Sequence, residues 1–205
     1  MIKPLLFIFS ISSLTVQAAD QTPGTFREDW QEIPPELPIT QKHVAAPGAT
    51  LTLHGPGAQG IKKSHHKNKK GDPWYVWSGR CEGTWALSLK LAVPLDLSGK
   101  KAVFRSRGKH AQRTLRLVLQ LPDGEWIVSD QGLPPTRNWD VGKLNIAELT
   151  WKMLAIDTVT PGPAVKNPDL KSISAVGFTD LEAGGQSKAC SRVDWFELIE
   201  VFQGT

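Results

Sequence analysis

The sequence predicts an all-β protein, an antiparallel sandwich of two sheets. Three observations point there. Short runs alternate apolar and polar side chains at the period of a strand, turn residues separate them, and a Pro122-Asp123-Gly124 turn joins two such runs as a tight hairpin. No self-similarity at a period of about 20 to 50 residues is present, which argues against a solenoid or propeller.

Taken in order, residues 26–30 read as a first strand. Residues 33–38 carry three prolines, which cannot donate to a ladder, and read as an extended connection or an edge. Residues 50–54 alternate and end at Gly55-Pro56-Gly57, after which residues 58–72 form a polar excursion. Strands resume at 74–77 and 84–91, and Leu95-Asp96-Leu97-Ser98-Gly99-Lys100 turns the chain into a strand over 101–107. The hairpin pairs 114–121 with 125–130, with Asp-Gly supplying the positive φ of a tight turn. Alternating runs follow at 139–146 and 151–159. Ile146, Leu149 and Met153 also recur at helical spacing, so a short helix over 146–154 competes with the strand reading there. Residues 161–169, with three prolines, read as a loop, and 174–180 and 192–201 close the sandwich.

Residues 1–18 read as a secretory leader. Lys3 precedes an apolar run over 5–11, and Val16 and Ala18 meet the small-residue rule for cleavage after Ala18. The run is too short to span a bilayer, which takes roughly 20 apolar residues, so membrane insertion is not expected. Residues 19–25 would then be a flexible tail and 26–203 a single domain, a length that suits one core. In an exported chain an even count of cysteines favours pairing. A Cys81 to Cys190 disulfide is expected, and it would stabilise the fold by up to about 4.7 kcal/mol on the chain-entropy account.

The order of motifs resembles the galactose-binding-like jelly roll, the sandwich of many carbohydrate-binding modules and of the complex I intermediate-associated protein 30 family. The residues that carry the likeness are Leu95-Asp96-Leu97-Ser98-Gly99 before residues 102–108, the strand 115–121, Trp139 before an alternating run, residues 173–178, and Val193-Asp194-Trp195-Phe196-Glu197-Leu198. The resemblance implies a last strand beside the first and a structural calcium near that junction. Glu28, Asp29 and Asp194 are the oxygen donors available for it. The other reading makes these surface acids beside Trp30 and Trp195.

Two constellations bear on binding. Lys62, Lys63, His65, His66, Lys67, Lys69 and Lys70 crowd into nine positions, and on one loop they would attract a polyanion; a solvated charged loop is the alternative. Aromatic residues are not interleaved within the run, which argues against nucleic acid. His65 and His66 are adjacent, so on an extended backbone they point to opposite sides and make poor joint metal ligands. Trp74, Tyr75, Trp77 and Trp126 offer rings on which a sugar could stack, although most aromatics pack in cores. Arg105 and Arg107 share one side of a strand and form a basic group with Arg113 and Arg116; Asp130 and Gln131 add acceptors that would line the same face as the arginines and Trp126.

For catalysis, Asp130, Asp157, Asp180, Glu182 and Asp194 are present, but their spacing selects no pair of the kind a glycosidase needs. Ser187 and Ser191 have no histidine in their half of the chain to act as base. The expectation is therefore a secreted or periplasmic, non-catalytic domain whose partner is carbohydrate, with anionic polysaccharide favoured. The competing readings are a polysaccharide-degrading or sugar-modifying enzyme on the same sandwich, and an envelope-assembly protein that docks a protein partner.

Overall fold

The computed structural model describes residues 25–66, 73–108, 110–184 and 190–201. The leader, the start of the tail, and Lys67, Lys69 and Lys70 lie outside them. The described residues form two antiparallel sheets, as the alternation predicts. One comprises β1 (Phe26–Glu28), β3 (Lys62–Ser64), β4 (Tyr75–Trp77), β6 (Lys100–Gly108), β9 (Asp140–Asn145) and β13 (Ser191–Glu200). Its path runs β3-β4-β13-β6-β9, with β1 paired to the other end of β13. The second contains β2 (Thr50–His54), β5 (Ala86–Leu95), β7 (Arg116–Gln120), β8 (Trp126–Ser129), β10 (Trp151–Ala155), β11 (Thr160–Val165) and β12 (Ile173–Thr179), in the order β11-β10-β8-β7-β12-β5-β2.

Between the sheets lies one core. Phe104, Phe178 and Phe196 form its centre with ring centroids 5.5 to 6.1 Å apart, and Trp30 and Trp85 meet Phe178 edge-on. Such offset and edge-to-face pairs satisfy the ring quadrupoles. The indole N–H groups of Trp30 and Trp85 find no hydrogen-bond partner among the described residues, a cost borne by the surrounding apolar burial. The first strand does lie beside the last, with Phe26 opposite Leu198 and Glu28 opposite Phe196.

The expected hairpin is present. Gly124 takes φ 91° and donates its N–H to the Leu121 carbonyl at 3.0 Å, and Asp123 accepts from the Glu125 N–H. Asp96 accepts from both the N–H and the hydroxyl of Ser98, which fixes the turn between β5 and β6.

Three elements differ from expectation. The competing helix over 146–154 reduces to one 3-10 turn, Ile146–Glu148, before β10. The stretch read as a loop after Pro161 supplies β11, an edge strand, where prolines are tolerated because one side of the ladder is open. The polar excursion contains β3, also an edge.

The seven-stranded sheet is curled. The turn between β10 and β11, at one margin, meets the ends of β2 and β5 at the other: the Thr84 hydroxyl donates to the Thr158 carbonyl at 2.6 Å. Val159 takes φ 50°, a costly conformation for a β-branched residue. Its side chain is buried with Ala86, Val118, Val128 and Leu154 in a second apolar cluster on the outer face of this sheet.

The cysteine expectation is not met. Cys81 and Cys190 are both buried free thiols. Backbone presses closely on Cys81, whose carbonyl lies 2.1 Å from where a side chain on Gly184 would begin. Burial pushes its thiol up to about 12, so it stays protonated and inert.

Candidate functional site

In an antiparallel ladder, side chains directly across from one another share a face. On the outer face of the six-stranded sheet one such row reads Lys62, Trp77, Arg192, Arg107, across β3, β4, β13 and β6. Tyr75 and Arg105, two residues along their strands, share that face. Here the structure brings together most of what the sequence offered.

Tyr75 forms the centre of an aromatic and cationic layer. Trp139 lies 5.4 Å from its ring and the His66 ring 5.3 Å, with the Tyr75 hydroxyl 3.1 Å from His66 Nε2. The Arg192 guanidinium stands 5.9 Å above Tyr75, and that of Arg105 5.5 Å above Trp139. Arg105 also pairs with Asp194, which occupies the bulge between Val193 and Trp195. Burial raises the Asp194 carboxyl above its ordinary range, and the arginine pulls it back. Tyr75 is only 2% exposed. It is therefore not an open stacking platform but the floor beneath Trp139, which stays half-exposed together with Trp77. Trp77 folds over Gly79, where a side chain would begin 2.1 Å from its indole, and Lys62 stands 5.9 Å from its ring.

Positive charge concentrates at one end of this face. At the other, Arg27 stacks on Trp195 at 4.3 Å but is neutralised by Asp29 and by Glu197, each within 2.8 Å. Those two acids hold the Arg27 guanidinium well above its ordinary range.

Three groups of predicted residues fall elsewhere. Trp126, Asp130 and Gln131 belong to the seven-stranded sheet, so they do not share a face with Arg105 and Arg107. Asp130 pairs with Lys152 at 2.8 Å, and Gln131 accepts from the Thr150 N–H at 2.8 Å; both tie β8 to β10. Trp126 meets His54 at 5.1 Å, a contact that reaches across the strand carrying Gly177, and His54 in turn reaches the Ser88 hydroxyl on the neighbouring strand at 2.8 Å. Burial lowers the His54 imidazole, and Asp157 opposes that shift. Arg116 lies on β7 and Arg113 in the connection before it, in the other sheet from β6, so neither joins the face of Arg105 and Arg107.

The polyanion run is split. Lys63 is fully buried, donating from Nζ to the Gln31 carbonyl at 2.8 Å with the Trp74 ring 5.1 Å away. Burial lowers its amine to about 8 against the attraction of Glu28, Glu32 and Asp194. A lysine pointing inward from an edge strand contributes no surface charge. Lys62 is on the face, while His65 stacks on Trp74 at 4.4 Å and His66 on Tyr75, so the two rings do diverge.

The three acids named for calcium are engaged with the protein itself. Among the described residues no group of three or more His, Cys, Asp or Glu is placed to hold a metal. Glu28 instead accepts from the N–H groups of Trp30, Ala45 and Ala46 at 2.6 to 3.0 Å. Asp29 is committed to Arg27, and Asp194 to Arg105. The carboxylates that a cation would gather are each satisfied by the protein.

Sequence reasoning missed two residues of the face. Arg192 was hidden because only the β13 to β6 register puts it opposite Arg107. In the sequence Trp139 marks only the start of a strand; the order β4-β13-β6-β9, with two strands between, is what brings it to Tyr75.

No protein-family model matches this chain, and no curated protein matches it in sequence. Among solved structures it is similar in outline to a family 11 carbohydrate-binding module from Clostridium thermocellum in complex with a beta-1,3-1,4-mixed-linked tetrasaccharide, at 13% identity and TM-score 0.48 over 87% of this chain and 98% of that one. It is similar also to the family 11 module of a cellulosomal cellulase of the same organism, at 13% identity and TM-score 0.46 over 94% and 97%. A third likeness is the glycoside hydrolase domain of Endo-D from Streptococcus pneumoniae, at 10% identity and TM-score 0.44 over 88% of this chain and 28% of that one. These are likenesses of outline alone.

Proposed function

We propose that the chain is an exported, non-catalytic carbohydrate-binding domain that favours anionic polysaccharide and holds it on the outer face of the six-stranded sheet. The observation that carries this reading is the cross-strand row Lys62, Trp77, Arg192, Arg107 with Arg105 and Trp139 beside it. Half-exposed indoles give a flat apolar surface for a sugar ring, and guanidinium groups form bidentate bonds to sulfate or carboxylate.

Three further features support it. Asp194, Asp29 and Glu197, acids of this face, are committed to Arg105 and Arg27. The carboxyls of Asp130, Asp180 and Asp194 are each tied to a cation rather than opposed across a cleft. No helix among the described residues is long and apolar enough to cross a membrane.

A panel of neutral, carboxylated and sulfated polysaccharides, assayed by affinity electrophoresis and for reducing ends, tests the proposal. Retardation by anionic members without release of reducing ends is the expected result. Binding to no member overturns it, and released ends would make the protein an enzyme.

A further inference from the structure

Where β3 begins and β4 ends, a pocket of about 340 Å³ opens beside the proposed face. Three segments wall it: Leu37, the loop from Pro56 to Gly60, and the loop carrying Arg80 and Glu82. Gly60 comes two residues before Lys62 in the chain and Arg80 three residues after Trp77, so the pocket adjoins the Lys62 and Trp77 end of the face.

Backbone packing sets its shape. The loops 55–60 and 79–83 press together where they lack side chains: one on Gly57 would begin 2.1 Å from the Gly83 carbonyl, and one on Gly60 2.2 Å from that of Arg80. Gly57 also donates its N–H to the Thr84 carbonyl at 2.9 Å. The third wall is tied to β3 on either side of Leu37. Glu36 exchanges backbone hydrogen bonds with Lys63 at 3.0 and 3.2 Å, and Ile39 donates to the Ile61 carbonyl at 2.8 Å. Leu37, 46% exposed, therefore stands on fixed backbone at the rim.

The polar side chains of the pocket are uncommitted. Those of Gln59, Arg80 and Glu82 are exposed, and none makes a hydrogen bond or ion pair with another described residue, so Arg80 and Glu82 share one pocket without pairing. A guanidinium only donates and a carboxylate only accepts, while the Gln59 amide does both. Adjacent hydroxyls of a sugar also do both, and the C–H face of a sugar ring covers apolar walls such as Leu37 and Pro56. The opposed charges deter other ligands: an anion beside Arg80 would meet Glu82, and a cation beside Glu82 would meet Arg80. Because both groups are exposed, pairing them with a zwitterion would gain little against water. The volume is near the small end of ligand pockets, roughly 300 Å³, and suits one unit of a glycan, not a run of units.

We propose that this pocket is a second saccharide site, which takes one uncharged sugar unit at the end of a chain through adjacent hydroxyls, with Arg80 donating and Glu82 accepting. The inference rests on the reading of the chain as carbohydrate-binding and adds a neutral terminal unit to the anionic run held on the face. A polysaccharide presents few ends, so this site contributes little to the retention of long chains.

The methyl glycosides of galactose, glucose, mannose and N-acetylglucosamine are the probes, titrated into the isotope-labelled full chain, with leucine as a zwitterionic control. At least one glycoside is expected to shift the backbone amide resonances of Gly57, Gly60 and Arg80 saturably, and to bind about fivefold more weakly to Arg80→Ala and to Glu82→Ala. Both variants should hold a sulfated polysaccharide as wild type does. No shift at these amides with any glycoside, or equal affinity in both variants and wild type, overturns the pocket while leaving the face untouched. Leucine shifting them in place of the glycosides overturns the assignment to hydroxyls. A glycoside that binds here, with no sulfated polysaccharide bound by wild type, overturns the anionic face and leaves this site standing.

Discussion

Burial of Lys63 gives the protein a measurable pH dependence. Its folded amine, lowered to about 8 mainly by desolvation, sits below the value near 10.4 of an unfolded chain. Between those values the unfolded state binds the extra proton, so stability must rise with pH across that window. The gain should reach up to about 3 kcal/mol and be absent from Lys63→Met, read as the difference between urea midpoints at pH 7.5 and 10. An identical pH trend in the variant would contradict the burial. Lys63 also shows what a linear reading misses. In the sequence it is one cation among seven, and only its place on an inward position of β3 separates it from Lys62. The thiols give a second residue-scale test: Cys81 and Cys190 should ignore a thiol reagent in the native protein, and both should react after unfolding. Two silent sulfurs in the reduced-agent-free, unfolded chain would restore the disulfide.

At the scale of elements, the seven-stranded sheet depends on small residues where it curls. Gly177 in β12 lies flat against its neighbour, and a side chain there would begin 2.0 Å from the Leu87 carbonyl, a backbone atom that cannot swing away. Gly177→Ala should therefore destabilise by about 1 to 3 kcal/mol, by the cost of overpacking, in a denaturant titration. Val159→Ala should cost about 1 to 2 kcal/mol by emptying the outer cluster, although the strained backbone at that turn remains. Most strands were legible because their alternation is a property of the chain itself. Residues 50–54 match β2 end to end, and the Asp-Gly hairpin is met down to its positive φ. The two missed strands are both edges. In β3, Lys62, Lys63 and Ser64 show no apolar alternation, because an inward charge is a device that keeps an edge from pairing with another chain. In β11 the two prolines are acceptable only because one side of the strand is free.

The whole molecule separates what the sequence had joined. Residues 104 to 107 and 126 to 131 are close in sequence and similar in chemistry, yet the chain crosses between layers after β6, so Trp126, Asp130 and Gln131 face away from the arginines. No local pattern encodes that crossing. The grouping of Trp77, Arg105 and Arg107 was readable because strand periodicity alone decides which residues of β4 and β6 share a side; that these sides coincide depends on β13 lying between them. Trp139 sealing Tyr75 is likewise a long-range event, and Trp139→Ala should expose Tyr75 to solvent quenching while weakening polysaccharide binding several-fold, as expected for loss of a stacking ring. Glycan binding on this face requires charge and indole acting together. Its most direct test is to titrate wild type and a Lys62→Ala, Arg107→Ala double variant with a sulfated polysaccharide and its desulfated form, at 50 and 500 mM salt. The predicted result is binding to the sulfated form only, weakened at least tenfold by the higher salt and lost in the double variant. Equal binding of both forms, or a double variant that binds like wild type, would contradict it.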